Sequence, residues 1–170
     1  MYKRQDIFIP GKISGKASPI LPLLDIEPLE EKDLSPNYDL MIFLDVGGEG
    51  VLSTSNHLLK TGVERWLIDH HLPKKSFLSH FNFTLIDYED SSSTCEILYK
   101  ACLDAGIDLP RDLLKALLAG ILVESGFLRM AKCGTFPVVE DLCRKGIDIQ
   151  SILPFLKRGK DLSEKVAILK

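Results

Sequence analysis

Three short apolar runs, each followed at once by an aspartate, constrain the fold of this chain more than any other feature. The runs cover residues 41–44, 66–68 and 83–86, and the aspartates that follow are Asp45, Asp69 and Asp87. Such runs are typical of strands buried on both faces of a parallel sheet. In open α/β sheets, ligands bind just outside the carboxyl ends of the strands. The sequence therefore predicts carboxylates along one sheet edge, with Asp45 near Asp69 if their strands are parallel neighbours.

Helical segments alternate with these strands. From residue 39 the pattern predicts strand, helix, strand, loop, strand, helix, helix, with Gly62, Gly106 and Gly146 each placed to end a helix. Ser93, followed three residues later by Glu96, forms a capping box before a helix over residues 94–105. This alternation predicts an α/β fold, a parallel β-sheet flanked by helices.

Two further helices are predicted after the third strand. The first covers residues 109–123 and is very apolar, and the next begins at Thr135 with Pro137 in its first turn. Gly120 lies inside the apolar helix, where glycine costs about 1 kcal/mol relative to alanine. We therefore expect a neighbouring backbone to approach closely at Gly120.

The N-terminal residues differ from the rest. Residues 1–38 hold five of the nine prolines and a short apolar run at residues 7–9. They predict one strand followed by a long ordered loop. We expect one domain overall, with this N-terminal part, an α/β core over residues 39–150, and a helical extension over residues 151–170.

Composition excludes several classes of protein. With 170 residues, 45% hydrophobic and 26% charged, the chain is typical of one globular domain. Its net charge of −3 argues against a protein that binds nucleic acid through its overall charge.

The basic cluster of Lys157, Arg158 and Lys160 is expected to be a solvated helix end. Residues 113–123 are too few to span a bilayer and no signal-peptide core is evident, so we expect a cytoplasmic protein.

Cysteines and two of the histidines indicate no site. The four cysteines lack zinc-type spacing, and Cys95 and Cys102 share a helical face, as core packing requires. We expect His57 and His80 to lie on the surface. The glycine-rich residues 47–50 lack the lysine of a phosphate-binding loop and are expected to form a turn.

Two adjacent imidazoles follow the second apolar run. His70 and His71 come directly after Asp69. Imidazole is the commonest nitrogen ligand for divalent ions, and carboxylates suit hard ions such as Mn²⁺. The segment predicts metal or phosphate chemistry, although both histidines could instead be structural.

These residues resemble the DHH phosphoesterases, the superfamily of RecJ exonuclease, small oligonucleotide hydrolases and manganese pyrophosphatases. Asp69-His70-His71 matches the signature, and Asp45 matches the second motif. Asp87 with residues 92–99 resembles the Ser-Ser-Thr helix start of the family, and residues 120–127 resemble its fourth motif. The resemblance covers residues 39–150 in the right order.

The resemblance implies roles for five residues. Asp45, His70 and Glu124 would be metal ligands, His71 would face the scissile phosphate, and Asp69 would orient the histidines. The implied cofactor is a single Mn²⁺ or none. Asp87 and Glu96 are expected to be structural, the first holding a loop and the second capping a helix.

Several parts of the family pattern are absent from the sequence. No Asp-x-Asp occurs upstream of Asp45, and the fourth motif carries Glu124 in place of aspartate. Residues 7–9 resemble the second strand of the family, so the first strand and its helix are missing. Either the strand at residues 7–9 shifts into the central position or the sheet is smaller. A rival alignment places residues 14–16 at the first motif, with Lys16 near the vacated cation position.

The sequence favours two main classes of function. Missing motifs, with residues 147–170 too few for the substrate-binding domain, favour a catalytically inactive RecJ-like subunit in DNA replication or repair. Degenerate archaeal relatives imply the GINS complex and the replicative helicase as partners. The alternative is a Mn-dependent phosphoesterase or exonuclease acting on single-stranded DNA, short oligonucleotides or nucleotide phosphates. In that case another subunit or an upstream segment would supply the missing ligands. Nucleotide sensing is a third, weaker interpretation.

Overall fold

The centre of the fold is a three-stranded parallel sheet. The computed structural model describes residues 5–158 except positions 12, 14–17, 19, 22, 23, 36 and 61. Its strands are β1 Leu40–Leu44, β2 Glu64–Asp69 and β3 Phe83–Ile86, in the order β1-β2-β3. Both strand pairs are parallel. The predicted α/β class is confirmed, and all three strands end at the same edge of the sheet.

Six α-helices accompany the sheet in the described part of the chain. They are α1 Glu49–Leu52, α2 Lys75–Leu78, α3 Thr94–Asp104, α4 Arg111–Glu124, α5 Thr135–Arg144 and α6 Ile149–Arg158. Two 3-10 helices cover Glu31–Asp33 and Ser53–Lys60. The connection between β1 and β2 is therefore largely 3-10, and the predicted loop between β2 and β3 contains the single turn of α2. None of the described helices has the length and hydropathy needed to cross a membrane.

Local signals place the ends of the long helices. Ser93 is the N-cap of α3, and its side chain accepts a hydrogen bond from the Glu96 N–H. Helices α3 and α5 are followed by Gly106 and Gly146, both with positive φ, as the sequence predicts. Thr135 begins α5 as expected. These ends are determined by residues that are neighbours in the sequence, which is why the sequence predicts them well.

Two hydrophobic clusters form the core. One joins helices α3 to α6 and includes Leu118, Ile121 and Leu142, all fully buried. The other lies between the sheet and the segments that connect its strands, and includes Leu67 and Phe77. The sheet thus has helices packed against it, and its carboxyl edge is left for polar residues.

Gly120 is needed where α4 meets α3. A Cβ on Gly120 would lie 2.4 Å from Cys95 Sγ, which is far inside van der Waals contact. The predicted close approach exists, but the neighbour is the Cys95 side chain rather than backbone. Tight packing of side chains from different elements is a tertiary feature that sequence spacing does not specify.

The predicted N-terminal strand is wrong. Among the described residues, the segment at residues 7–9 forms only an isolated parallel bridge, from Phe8 to Leu29, and adds no strand to the sheet. Tyr38 holds this segment by donating its hydroxyl to Asp6 Oδ2 at 3.0 Å. Of the two arrangements expected, the smaller sheet is therefore the one observed. The rival alignment at residues 14–16 and Lys160 lie outside the described residues, as do the side chains of Lys157 and Arg158.

Candidate metal centre

Asp45 and His70 meet where β1 and β2 end. The pairing of Leu44 with Ile68 puts the two chain exits side by side, and His70 Nε2 lies 3.3 Å from Asp45 Oδ1. Asp45 has a φ of 58°, in the left-handed region that aspartate tolerates better than most residues. Thr94, the first residue of α3, donates its hydroxyl to Asp45 Oδ1 at 2.9 Å. Three elements therefore position this one carboxylate.

The Nε2 atom of His70 is buried and has no hydrogen-bond partner among the described residues. The side chain is only 10% exposed, and the contact with Asp45 is not aligned as a hydrogen bond. Glu124 Oε1, from the end of α4, lies 3.9 Å from the same nitrogen. The carboxylates of Asp45 and Glu124 are about half exposed, at 49% and 46%. A buried polar atom is normally satisfied, so this one indicates a missing partner at the site.

Asp69 is fully buried and orients the second histidine. Its Oδ2 accepts the Gly47 N–H at 2.6 Å, while Oδ1 lies 2.8 Å from both the backbone nitrogen and the ring Nδ1 of His71. Since a carboxylate is an acceptor only, His71 carries its proton on Nδ1 in this arrangement. Nε2 is then the free acceptor of a ring that is 48% exposed.

Gly47 lies in the turn after β1, against the His71 ring. Its φ of 62° favours glycine, whereas a Cβ at this position would be in ordinary van der Waals contact with the ring, at 3.6 Å. This turn belongs to the glycine-rich residues 47–50, and its contribution to the site is a backbone N–H donated to Asp69. No local sequence signal predicts the contact between Gly47 and Asp69. The match of Asp69 to a known motif was the only indication that Asp69 has a role in the site.

The donors fit one divalent cation. Asp45, Asp69, His70 and His71 each offer an atom, and these atoms lie within 4.8 Å of one another. Asp69 already accepts three hydrogen bonds, so its role is to hold the turn and the His71 ring. His70, Asp45 and Glu124 keep donor atoms available, and an imidazole with carboxylates is a suitable set for Mn²⁺.

A second polar cluster lies under the start of α3 and is fully satisfied. Glu96 is completely buried and accepts hydrogen bonds from the Ser92 N–H at 3.2 Å, the Ser93 hydroxyl at 3.2 Å and the Thr135 hydroxyl at 3.0 Å. Ser92 Oγ also lies 2.9 Å from Thr135 Oγ1. The predicted capping role of Glu96 is confirmed, and its bond to α5 was not foreseen.

Asp87 holds the loop after β3, as predicted. It accepts hydrogen bonds from the Ser91 hydroxyl at 2.5 Å and the Asp90 N–H at 3.1 Å, and Lys100 Nζ lies 3.3 Å away. Burial alone would raise the pKa of Asp87, but these donors and the Lys100 charge outweigh it and hold the pKa below its ordinary value. Asp87 is thus structural, although its strand ends at the same edge as the candidate metal donors.

The remaining candidate residues lie outside the site. His57 and His80 are surface residues, with side chains 58% and 38% exposed. All four cysteines are free. Cys95 is partly buried against the helical core, and burial, with the nearby charges of Asp45 and Glu96, raises the pKa of its thiol to about 12.

Comparison with known proteins agrees with this geometry. Residues 3–121 match the DHH family, N-terminal domain. An uncharacterized protein of Methanocaldococcus jannaschii is 36% identical over 104 residues, which are 61% of this chain and 31% of that protein. The crystal structure of an exopolyphosphatase-related protein from Bacteroides fragilis superposes with a TM-score of 0.64 at 20% identity, covering 75% of this chain and 38% of that one.

The matched regions define how far the likeness extends. The chain spans about a third of the length of each of these two proteins. The structural likeness establishes a shared fold, and the family match covers more than two thirds of the chain, including Asp45 and the Asp69-His70-His71 segment. On this evidence the chain belongs to the DHH family.

Proposed function

We propose that this DHH domain binds one divalent cation, Mn²⁺ by the nature of the donors, and uses it to hold a phosphate ester. The observation that supports the proposal is the buried His70 Nε2. No described residue forms a hydrogen bond with it, and it lies 3.3 and 3.9 Å from the carboxylates of Asp45 and Glu124. An uncompensated buried nitrogen beside two acceptors is costly. A cation would satisfy the nitrogen and both carboxylates together.

Each residue around the cation has a distinct task. His70, Asp45 and Glu124 would hold it, and Thr94 fixes the Asp45 carboxylate by its hydrogen bond. When bound, a divalent cation neutralises charge on a phosphate group and lowers the pKa of water. His71 is oriented through Nδ1 by the buried Asp69, which leaves its exposed Nε2 to contact a phosphate oxygen or to exchange a proton.

Hydrolysis by this chain alone is expected to be slow. The described residues contain one group of four histidine and aspartate donors within 4.8 Å, whereas phosphoester hydrolysis with two cations needs a clamp on both the attacking and the leaving oxygen. Short oligonucleotides and nucleotide phosphates are the ligands to test. Linear polyphosphate is a further ligand to test, because the similar Bacteroides structure is described as exopolyphosphatase-related.

Calorimetric titration of the purified chain with MnCl₂ tests the cation site. We expect one ion per chain, loss of binding in His70→Ala, and unchanged binding in His80→Ala, whose ring is exposed and outside the site. Absence of binding to the unmodified chain would contradict the proposal, and so would equal binding by both variants.

A Mn²⁺-dependent hydrolysis assay then separates binding from turnover. Single-stranded DNA, a dinucleotide and polyphosphate are incubated at high protein concentration beside the His70→Ala variant. Turnover that His70→Ala abolishes would make this chain an enzyme with an unexpectedly complete site. Binding without turnover is the result we expect.

A second candidate function is the non-catalytic interaction subunit predicted from the sequence. It is favoured by large apolar side chains exposed on the described surface, notably Leu72, Met130 and Phe136 at 66%, 69% and 53%, since exposed apolar surface is typical of protein contacts. The GINS complex and the replicative helicase are the partners to test. A pull-down from native extract that recovers neither would count against this role.

A further inference from the structure

A cavity of about 300 Å³ adjoins the metal centre on the side of helices α3 and α4. Its described lining includes both half-exposed carboxylates of the site, those of Asp45 and Glu124. This volume is at the lower end of the range for small-molecule sites, so the cavity has room for a small organic group. Most of the other side chains that line it are apolar, among them Leu44, Leu98, Ala116, Val123 and Leu156.

Small residues on one face of α4 leave this space. Ala116, Gly120 and Val123 line the cavity and follow one another at intervals of four and three residues, so they share a face of the helix. The helix ends directly after them, at Glu124. An empty apolar cavity reduces the stability of a fold, and apolar cavities stay dry and take up small apolar molecules. The cavity therefore favours an apolar occupant over water.

The polar side chains of the described lining have no strong donor hydrogen left for a ligand. The Ser93 hydroxyl donates to Glu96 Oε1 at 3.2 Å, and the Thr94 hydroxyl donates to Asp45 Oδ1 at 2.9 Å. Carboxylates only accept hydrogen bonds, and the thiol of Cys95, which also lines the cavity, is a weak donor. A sugar or a nucleobase in this cavity would bury polar atoms without partners, which costs free energy.

We propose that this cavity holds the esterifying group of the ligand, so that the preferred ligand is a phosphate ester of a small apolar alcohol. This inference rests on the proposed cation site. The phosphate would bind the cation at Asp45, His70 and Glu124, and the alkyl or aryl group would extend between α3 and α4. Because two of the carboxylates that would hold the cation line the cavity, a group attached to the bound phosphate reaches it without a long spacer. Nucleotides would bind through their phosphate alone, with base and sugar outside the cavity.

Burial of the apolar group sets the specificity. Each methylene group removed from water should raise the affinity by up to about fourfold. The gain should end once the alkyl chain fills the cavity, because further methylene groups stay in water. The affinities of a series of alkyl phosphates therefore measure how much of the chain the cavity accepts.

Calorimetric titration of the full chain in MnCl₂ with inorganic phosphate and with methyl, propyl and hexyl phosphate tests this specificity. We expect the affinity to rise along the series and to level off when the cavity is full. Ribose 5-phosphate, whose hydroxyl groups would lack partners in the cavity, should bind no more tightly than methyl phosphate. Equal affinities across the alkyl series would overturn the proposal, and so would ribose 5-phosphate binding as tightly as hexyl phosphate.

Filling the cavity from α4 tests where the alkyl group binds. Ala116 is partly buried and lies two turns before Glu124. Ala116→Leu should remove most of the gain of hexyl over methyl phosphate and leave the binding of Mn²⁺ and inorganic phosphate unchanged. The smaller change Ala116→Val should shorten the alkyl chain at which the affinity levels off, and it decides the question if Ala116→Leu fails to fold.

The matched control is Ala101→Leu. Ala101 is a partly buried alanine of α3 that is not among the residues lining the cavity, so this variant should keep the full gain. Equal gains in the Ala116 variants and the unmodified chain would overturn the proposal, and so would loss of the gain in the control.

Two titrations separate the apolar specificity from the proposed function. Binding of Mn²⁺ and inorganic phosphate, together with equal affinities for all the alkyl phosphates, would overturn the apolar specificity and leave the cation site standing. A chain that bound no Mn²⁺ would overturn the proposed function, and the apolar specificity with it.

Discussion

Two polar clusters at the carboxyl side of the sheet differ in whether their buried polar atoms have hydrogen-bond partners. Around Glu96 the carboxylate is fully buried and accepts hydrogen bonds from Ser92, Ser93 and Thr135. Around His70, a buried nitrogen has no hydrogen-bond partner in the described part of the chain, and the carboxylates of Asp45 and Glu124 are half exposed. Thr94, in the same helix turn as Ser93, contacts Asp45. The first cluster is complete without a ligand, and the second is not.

If the proposed function holds, this difference separates structural from functional polar groups. A satisfied buried carboxylate joins the start of α3 to α5 and contributes to stability in any solution. An unsatisfied group reduces stability until a ligand arrives, and ligand binding then stabilises the fold by mass action. Substitutions in the two clusters should therefore affect stability in different ways.

The largest expected effect is that of Glu96→Ala. Removing the carboxylate leaves the Ser92 N–H and two hydroxyls without their buried acceptor, which should cost about 3 kcal/mol. Urea unfolding followed by circular dichroism measures it. The control is Glu140→Ala, which removes an exposed ion pair with Arg144 and should cost less than about 1 kcal/mol. Equal losses in the two variants would show that the Glu96 network is not structural.

The next largest effect is the stabilisation of the fold by Mn²⁺. It should depend on the cluster around His70 and not on the cluster around Glu96. At a concentration about 100 times its dissociation constant, the cation should add about 2.7 kcal/mol to the unfolding free energy. EDTA should remove this gain, and His70→Ala should abolish it. In EDTA, His70→Ala should cost less than Glu96→Ala, because His70 Nε2 has no hydrogen bond to lose. A Mn²⁺ gain that persists in His70→Ala would place the cation elsewhere.

The sequence predicts the elements that depend on local signals. The three strands and the starts of α3 and α5 follow from apolar runs, a capping serine and turn residues. Placement of Asp45 beside His70 also follows, because parallel neighbours end at one edge. The position of the candidate donors was thus predictable, whereas their binding of a cation is still a prediction.

Features that depend on contacts between distant segments were not predictable. The left-handed backbone of Asp45, the Gly47 N–H on Asp69 and the Thr135 bond to Glu96 each join elements by tertiary packing. The apolar run at residues 7–9 has the pattern of a strand but pairs with only one residue, Leu29. Strand formation requires a neighbour, and the pattern of one segment does not supply it.

A smaller effect is expected from Gly120→Ala. Gly120 lies in α4, which packs in the helical core and ends at Glu124. The new methyl group would meet Cys95 Sγ and cost about 1–3 kcal/mol, offset by about 1 kcal/mol of helix propensity. Cys95→Ala in the same chain should restore the lost stability. Because Glu124 lies one turn further along α4, Mn²⁺ affinity should fall in the single variant and recover in the double variant. Unchanged affinity in Gly120→Ala would show that the clash with Cys95 does not displace Glu124.

The smallest effect concerns Asp87, whose carboxylate follows β3 at the same edge but is satisfied by Ser91, Asp90 and Lys100. Its pKa is lower in the folded chain than in the unfolded one. The stability that it contributes is therefore fully present above its ordinary pKa of about 4 and is lost as pH falls through the lowered value. Asp87→Asn should make the acid side of the stability profile shallower, by less than about 1 kcal/mol because the pair with Lys100 is partly exposed. Asp112→Asn, which alters an exposed pair with Lys115, is the matched control. If the stability profiles of the two variants changed alike, Asp87 would be an ordinary surface charge. The contrast between carboxylates with a full set of hydrogen bonds and exposed carboxylates would then rest on Glu96 and the metal centre alone.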